Sequence, residues 1–253
     1  VTAGGYNQER GKVSVYTITS DSVAVLQSYI GKVPWCQMGG NIAGGKDLNN
    51  DGYMDYAITR QNGGCNDTGK VDIYFGSSDL PETPTLTLLD TFPNFGWSLK
   101  MLDDINADGF ADIVIGGAGR GGRHGEAVAG YFHVYFGGDS MDTIPDFTAF
   151  GSREYQYLGL DFANGDFNGD RQSDLVVGSD SLAYVYYGGA DFDTLPDALF
   201  RGAYFIENGG DLNGDGCDDL LSGAPDAGGH NGFVDIFLGA PSLDGQADAR
   251  LYG

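Results

Sequence analysis

The sequence predicts an all-β fold, a β-propeller built of four-stranded blades. Three observations predict it: a nine-residue acidic motif that recurs four times, a β-rich segment ending in Gly downstream of each copy, and a further apolar segment that closes each unit. The motifs read DLNNDGYMD (47–55), DINADGFAD (104–112), DFNGDRQSD (166–174) and DLNGDGCDD (211–219), with starts 57, 62 and 45 residues apart. Self-similarity of this kind marks an array of like structural units.

Each unit is read in chain order. Directly after the motifs come YAITR, IVIGG, LVVGS and LLSGA. Next come GKVDIYFG (69–76), GYFHVYFG (130–137), SLAYVYYG (181–188) and GFVDIFLG (232–239), rich in β-branched and aromatic residues and closed by Gly, which is a strand signature. TPTLTLLD, IPDFTAFG, LPDALFRG and QADARLYG complete the units. The order is strand, acidic loop, strand, loop, strand, turn, strand, the size of one propeller blade. VTAGG, GKVSVYTI and VAVLQSYIG at the start fit the second, third and fourth strands of a blade with no acidic loop before them. The expected division is a partial blade at 1–31 and blades at about 32–90, 91–149, 150–202 and 203–253. Blades need neighbours on both sides, so we expect continuation of the propeller beyond these residues or self-association.

Composition narrows the function. The 253 residues include 43 Gly and carry a formal net charge of −23. That charge repels phosphates and disfavours nucleic-acid partners. No run of 18 apolar residues is present, so no membrane-inserting helix is expected. The acid is 31 Asp against 5 Glu, and Asp is both a turn former and a hard oxygen donor.

In every motif, positions one, three, five and nine carry oxygen side chains. They are Asp47, Asn49, Asp51 and Asp55; Asp104, Asn106, Asp108 and Asp112; Asp166, Asn168, Asp170 and Asp174; Asp211, Asn213, Asp215 and Asp219. The carbonyls at position seven, of Tyr53, Phe110, Gln172 and Cys217, add a candidate ligand each. All-oxygen donors with three carboxylates suit Ca²⁺ rather than Zn²⁺, about four ions, one per complete blade. A helical calcium loop needs an acid at position twelve, where this chain has Ile58, Ile115, Val177 and Ser222. A lone copy would read equally well as a plain Asx-rich turn; four in register do not. Position six is Gly52, Gly109 and Gly216 but Arg171 in the third loop, which is expected to be the weakest site if a positive φ is required there. Extracellular calcium modules commonly bind at ~10⁻⁴ to 10⁻³ M, so an extracellular, secreted or cell-surface location is expected.

These residues resemble the FG-GAP repeat of integrin α-subunit propellers and the related bacterial VCBS-type repeats. The Phe-Gly part is FGWSL (95–99) and FGSRE (150–154), the Gly-Ala-Pro part is intact at Gly223, Ala224 and Pro225, and the acidic motif lies between the two parts. The resemblance implies a propeller, usually seven-bladed, with calcium loops on one face and ligand binding often on the other.

In an up-and-down blade the loop between strands two and three lies opposite the acidic loop. Cys36 and Cys65 then come near each other as a candidate disulfide, two buried thiols being the alternative, while Cys217 stays free. The same face carries Arg120, Arg123, His124 and His230, a candidate cluster for a carboxylate or sugar against the plainer reading of solvated loop residues. Trp35 and Trp97 read as inter-blade packing rather than sugar platforms, and His133 as a packed strand residue. Zinc-protease, nucleophile-elbow and P-loop motifs are missing. The expected function is an extracellular, calcium-stabilised adhesion or binding module for a protein or glycan, not an enzyme. The alternatives are a lectin-type propeller or the propeller domain of a polysaccharide-active enzyme.

Overall fold

Alternating apolar residues on either side of each acidic loop form antiparallel strands in a computed structural model, which describes residues 10–32, 38–60, 68–118, 129–201, 205–225 and 232–253. The first sheet holds β1 (Lys12–Ile18) and β2 (Val23–Ile30). The second runs β3 (Met38–Lys46), β4 (Asp55–Arg60), β5 (Thr68–Tyr74) and β6 (Leu86–Pro93). The third runs β7 (Ser98–Leu102), β8 (Asp112–Gly116), β9 (Tyr131–Tyr135) and β10 (Phe147–Phe150). The fourth runs β11 (Phe162–Gly165), β12 (Asp174–Gly178), β13 (Leu182–Tyr186) and β14 (Ala198–Arg201), and the fifth β15 (Phe205–Gly210), β16 (Asp219–Ala224), β17 (Phe233–Phe237) and β18 (Ala249–Tyr252). Each four-stranded sheet pairs its strands in sequence order, all antiparallel, as propeller blades do.

Because the blade strands are buried on both faces, the cores lie between sheets. Ala57, Val71, Ile73 and Leu88 of the second sheet meet Met101, Ile113 and Ile115 of the third. Val114, Phe132 and Val134 of the third sheet meet Phe162, Leu175 and Val177 of the fourth. Val176, Ala183, Val185 and Phe200 meet Ile206, Leu220 and Phe237 of the fifth. The inner strands β3, β7, β11 and β15 pack side by side around a common axis.

The outer face of the fifth sheet repeats this pattern without a cover. Val234 stands where Val71, Phe132 and Ala183 are fully buried, yet it is 37% exposed, and its cross-strand neighbour Leu251 is 60% exposed. On the first sheet Ile18 and Val23 are exposed as well.

Candidate metal centres

Each acidic loop joins the first and second strands of its blade, and its ninth residue opens the second strand: Asp55 in β4, Asp112 in β8, Asp174 in β12 and Asp219 in β16. These four carboxylates are buried. One oxygen of each accepts the backbone N–H of position two (Leu48, Ile105, Phe167 and Leu212) at 2.7–2.9 Å. The other accepts the N–H of the Gly just beyond the third strand (Gly76, Gly137, Gly188 and Gly239) at 2.7–2.9 Å. The ninth Asp therefore ties the loop to the far side of its own sheet. That closing Gly has no room for a side chain, since a Cβ on Gly137 would stand 2.1 Å from the Ala111 carbonyl oxygen.

Positions one, three and five fold over the ninth. In the first loop Asp47 Oδ1 and Asn49 Oδ1 both accept the Asp51 N–H at 3.2 Å, and Asp47 Oδ2 accepts the Gly52 N–H at 2.8 Å. Asn49 Nδ2 donates to Asp51 at 3.1 Å, and the Tyr53 N–H donates to Asp51 at 2.9 Å. The same pairs recur as Asn106 on Asp108, Asn168 on Asp170 and Asn213 on Asp215, at 2.8–2.9 Å. Phe110, Gln172 and Cys217 donate their N–H groups to position five at 2.8–2.9 Å. Among the described residues no group of three or more His, Cys, Asp or Glu side chains is set to hold a metal ion. The donors gathered in these loops are instead carboxylates mixed with Asn oxygens.

The electrostatics of the loops suit a bound cation. Burial holds Asp55, Asp112 and Asp174 above the usual carboxylate range, the backbone N–H bonds oppose it, and repulsion from positions one and five of the same loop adds to it. Asp112 and Asp174 are pushed up to about 7. A divalent ion among hard oxygen donors would reverse that shift. Positions one, three, five and nine, with the carbonyl of position seven, are the groups that would hold it.

Backbone conformation supports the reading of position six. Gly52, Gly109 and Gly216 have φ of 90°, 94° and 94°, and Arg171 is held at 72°. Position four also lies in the left-handed region, at Asn50, Ala107, Gly169 and Gly214 with φ of 55°, 61°, 78° and 81°. Gly and Asn at that position were a readable signal; Ala107 was not.

The Asp excess has a second source that the sequence reading missed. Asp146, Asp197 and Asp248 accept the N–H of Phe136, Tyr187 and Leu238 at 2.8 Å, clamping the turn between third and fourth strands. Asp142, Asp193 and Asp244 cap the same turns through Ile144, Leu195 and Gln246. The motif DxxxD in DTIPD, DTLPD and DGQAD was the available signal.

Cys36, Cys65, Arg120, Arg123, His124 and His230, together with Trp35, lie outside the described residues. Cys217 is a free, buried thiol. His133 is buried, with Nδ1 on Thr148 at 2.7 Å and Nε2 on Asp90 of the preceding blade at 2.6 Å. It is a packing and pairing residue, as its strand position suggested.

Comparison with known proteins agrees with the repeat. Residues 207–237, spanning the fourth acidic loop and the Gly-Ala-Pro segment, match the family model described as the FG-GAP repeat. Integrin alpha-5 of Xenopus laevis is 31% identical over 147 residues, 53% of this chain and 14% of the relative. Integrin alpha-IIb of Mus musculus is 38% identical over 87 residues, 33% of this chain and 8% of the relative. Phosphatidylinositol-glycan-specific phospholipase D of Homo sapiens is 30% identical over 169 residues, 61% of this chain and 20% of the relative. The chain thus spans no more than about a fifth of the length of these relatives. Among solved structures, a rhamnogalacturonan lyase of Bacillus licheniformis aligns with a TM-score of 0.49 at 13% identity, over 92% of this chain and 55% of that one.

Proposed function

We propose that this FG-GAP, integrin-α-like β-propeller is an extracellular, calcium-stabilised binding and adhesion module with no catalysis of its own. The observation that carries the reading is the loop found four times over, in which two aspartates and an asparagine gather by a third, buried aspartate whose oxygens are both bonded to backbone N–H groups; in three of the loops the other two carboxylates repel it. Each ion would remove that repulsion and fasten two strands of a blade, so calcium acts on the scaffold and leaves the opposite face for a protein or glycan ligand. Four divalent ions would offset eight of the 23 net negative charges. The uncovered faces of the first and fifth sheets fit further blades or a second copy of the chain.

The test is a calorimetric calcium titration of chelator-treated protein, followed by retention of the immobilised chain's partners from cell-surface or matrix preparations with and without calcium. The expected result is about four sites, with retention only in calcium. No calcium uptake in the titration, or unchanged retention in chelator, would overturn the reading.

One observation favours a second reading. The phospholipase D relative matches a longer stretch of this chain than the integrins do, which suits a propeller that itself takes part in the catalysis of a phospholipid- or polysaccharide-active enzyme. Hydrolysis of a phospholipid or polysaccharide panel by this chain alone would move it into that class.

A further inference from the structure

The inner strand of every blade ends at an acidic loop, so its beginning lies on the opposite face, around the axis. Residues at or near the start of four successive inner strands line one cleft there, of about 360 Å³. Asn41 comes from β3, Trp97 from the entry to β7, Asp161 from the entry to β11 and Phe205 from β15. Elsewhere the blades repeat one another: position two of the loop is always apolar and the residue closing the third strand is always Gly. At one register position the four blades supply Asn41, Ser98, Asp161 and Phe205, an amide, a hydroxyl, a carboxylate and a phenyl ring, with the Trp97 indole one residue before Ser98. A ring needed only for packing would repeat its chemistry as the others do.

The groups are held in place for a ligand. Asp161 accepts the N–H of Phe162 on one oxygen and that of Ile206, from the next blade, on the other, both at 3.0 Å. An ionised carboxylate has about four acceptor positions, so each oxygen keeps one for an incoming donor. Asn41 commits its amide NH₂ to the Trp97 carbonyl and its backbone to Thr59, which leaves the amide oxygen as a second acceptor. Phe205 is 58% exposed although it sits among inner strands. Lys100, paired with Glu207 at 2.5 Å, lies close enough to Asp161 to soften its charge. The mouth therefore offers two aromatic rings and fixed hydrogen-bond acceptors, with a cation already supplied by the protein. A ligand with an apolar face and several hydroxyl donors matches this set.

We propose that the axial mouth binds one pyranose ring of a neutral glycan, stacked on Trp97 and Phe205 with its hydroxyls donating to Asp161 and Asn41. The proposal rests on the reading of the chain as a binding module and names its ligand class and site.

The experiment is saturation-transfer NMR on the calcium-loaded chain with methyl pyranosides of gluco, galacto, manno and N-acetylglucosamine configuration, and with arginine methyl ester as a cationic probe. The expected result is saturation of at least one pyranoside with a dissociation constant of about 1–10 mM, weakened about tenfold in Phe205→Ala and in Asp161→Asn. Phe205→Ala removes an exposed ring, so its melting midpoint should match the parent and its loss of binding is readable even if Asp161→Asn folds poorly. No transfer to any pyranoside, transfer unchanged in Phe205→Ala, or binding of the arginine ester alone would overturn the proposal. A normal calcium titration alongside a silent pyranoside panel would sink the mouth and spare the module; the reverse pattern would do the opposite.

Discussion

The N–H of Gly138, just past the third strand of one blade, donates to the carbonyl of Leu48 in the acidic loop of the preceding blade at 2.8 Å. The bond recurs as Gly189 on Ile105 and Ala240 on Phe167, both at 2.9 Å. Position two of the loop thus gives its N–H to its own ninth Asp and its carbonyl to the next blade, and its side chain is buried in three blades. The loop that gathers oxygens on one side is a blade-to-blade fastener on the other.

That double role sets a contrast between blades. Ile105→Ala should cost about 2–5 kcal/mol and Phe167→Ala about 3–5 kcal/mol. Leu212, the same position in the fifth blade, is 54% exposed, and its Ala variant should cost under about 1 kcal/mol. Urea unfolding in saturating calcium measures all three, and an equal cost at Leu212 would count against the fastener.

Arg171 should make the third loop the weakest calcium site. Its φ of 72° is a conformation Gly adopts freely, and a side chain there costs roughly 1 kcal/mol or more. Arg171→Gly should tighten one calcium step about fivefold and leave the others alone. Gly109→Arg should weaken one step by a similar factor. Calorimetric titration reads both, and four equal steps in the parent chain would contradict the ranking.

Gly137 should tolerate no side chain. A Cβ there meets the Ala111 and Leu48 carbonyl oxygens at 2.1 and 2.5 Å, and backbone atoms give way less easily than a side-chain tip. Gly137→Ala should destabilise the chain by about 2 kcal/mol or more. Gly138 has open space where its Cβ would go, so its Ala variant meets no clash and bears only the strain of a φ of 155°; it should cost less, about 1 kcal/mol. Thermal melts of the two neighbours make the comparison.

The pair of buried His133 and half-buried Asp90 predicts an acid limb. Burial works against ionisation of Asp90, but the hydrogen bonds from His133, the Phe92 N–H and the Thr91 N–H outweigh it and hold the carboxyl below its usual range. A depressed carboxylate stabilises the fold above its unfolded value and loses that contribution as pH falls through the folded one. Parent stability should therefore fall below about pH 4 more steeply than that of Asp90→Asn. The variant should lose about 1–3 kcal/mol at pH 7. Urea midpoints from pH 3 to 7 test it; parallel curves would remove the pair from the account.

Much of the blade was legible from the chain alone. The strand pattern, the loop position and the left-handed turn at position six all follow from residues within one repeat, because turn chemistry and pleat are local. The Asp-capped turns at Asp146, Asp197 and Asp248 were equally local and were overlooked because the metal motif absorbed the explanation for every Asp.

The sequence by itself determined four acidic loops, their donors and the blades that carry them, since each is written within a few consecutive residues. Only the tertiary structure decided that the ninth Asp spends both oxygens on backbone N–H groups, that Leu48 reaches Gly138, and that Asn41, Trp97, Asp161 and Phe205 share one mouth. Those partners sit on different strands or different blades. What brings them together is the stacking of sheets around an axis, and no spacing along the chain records it.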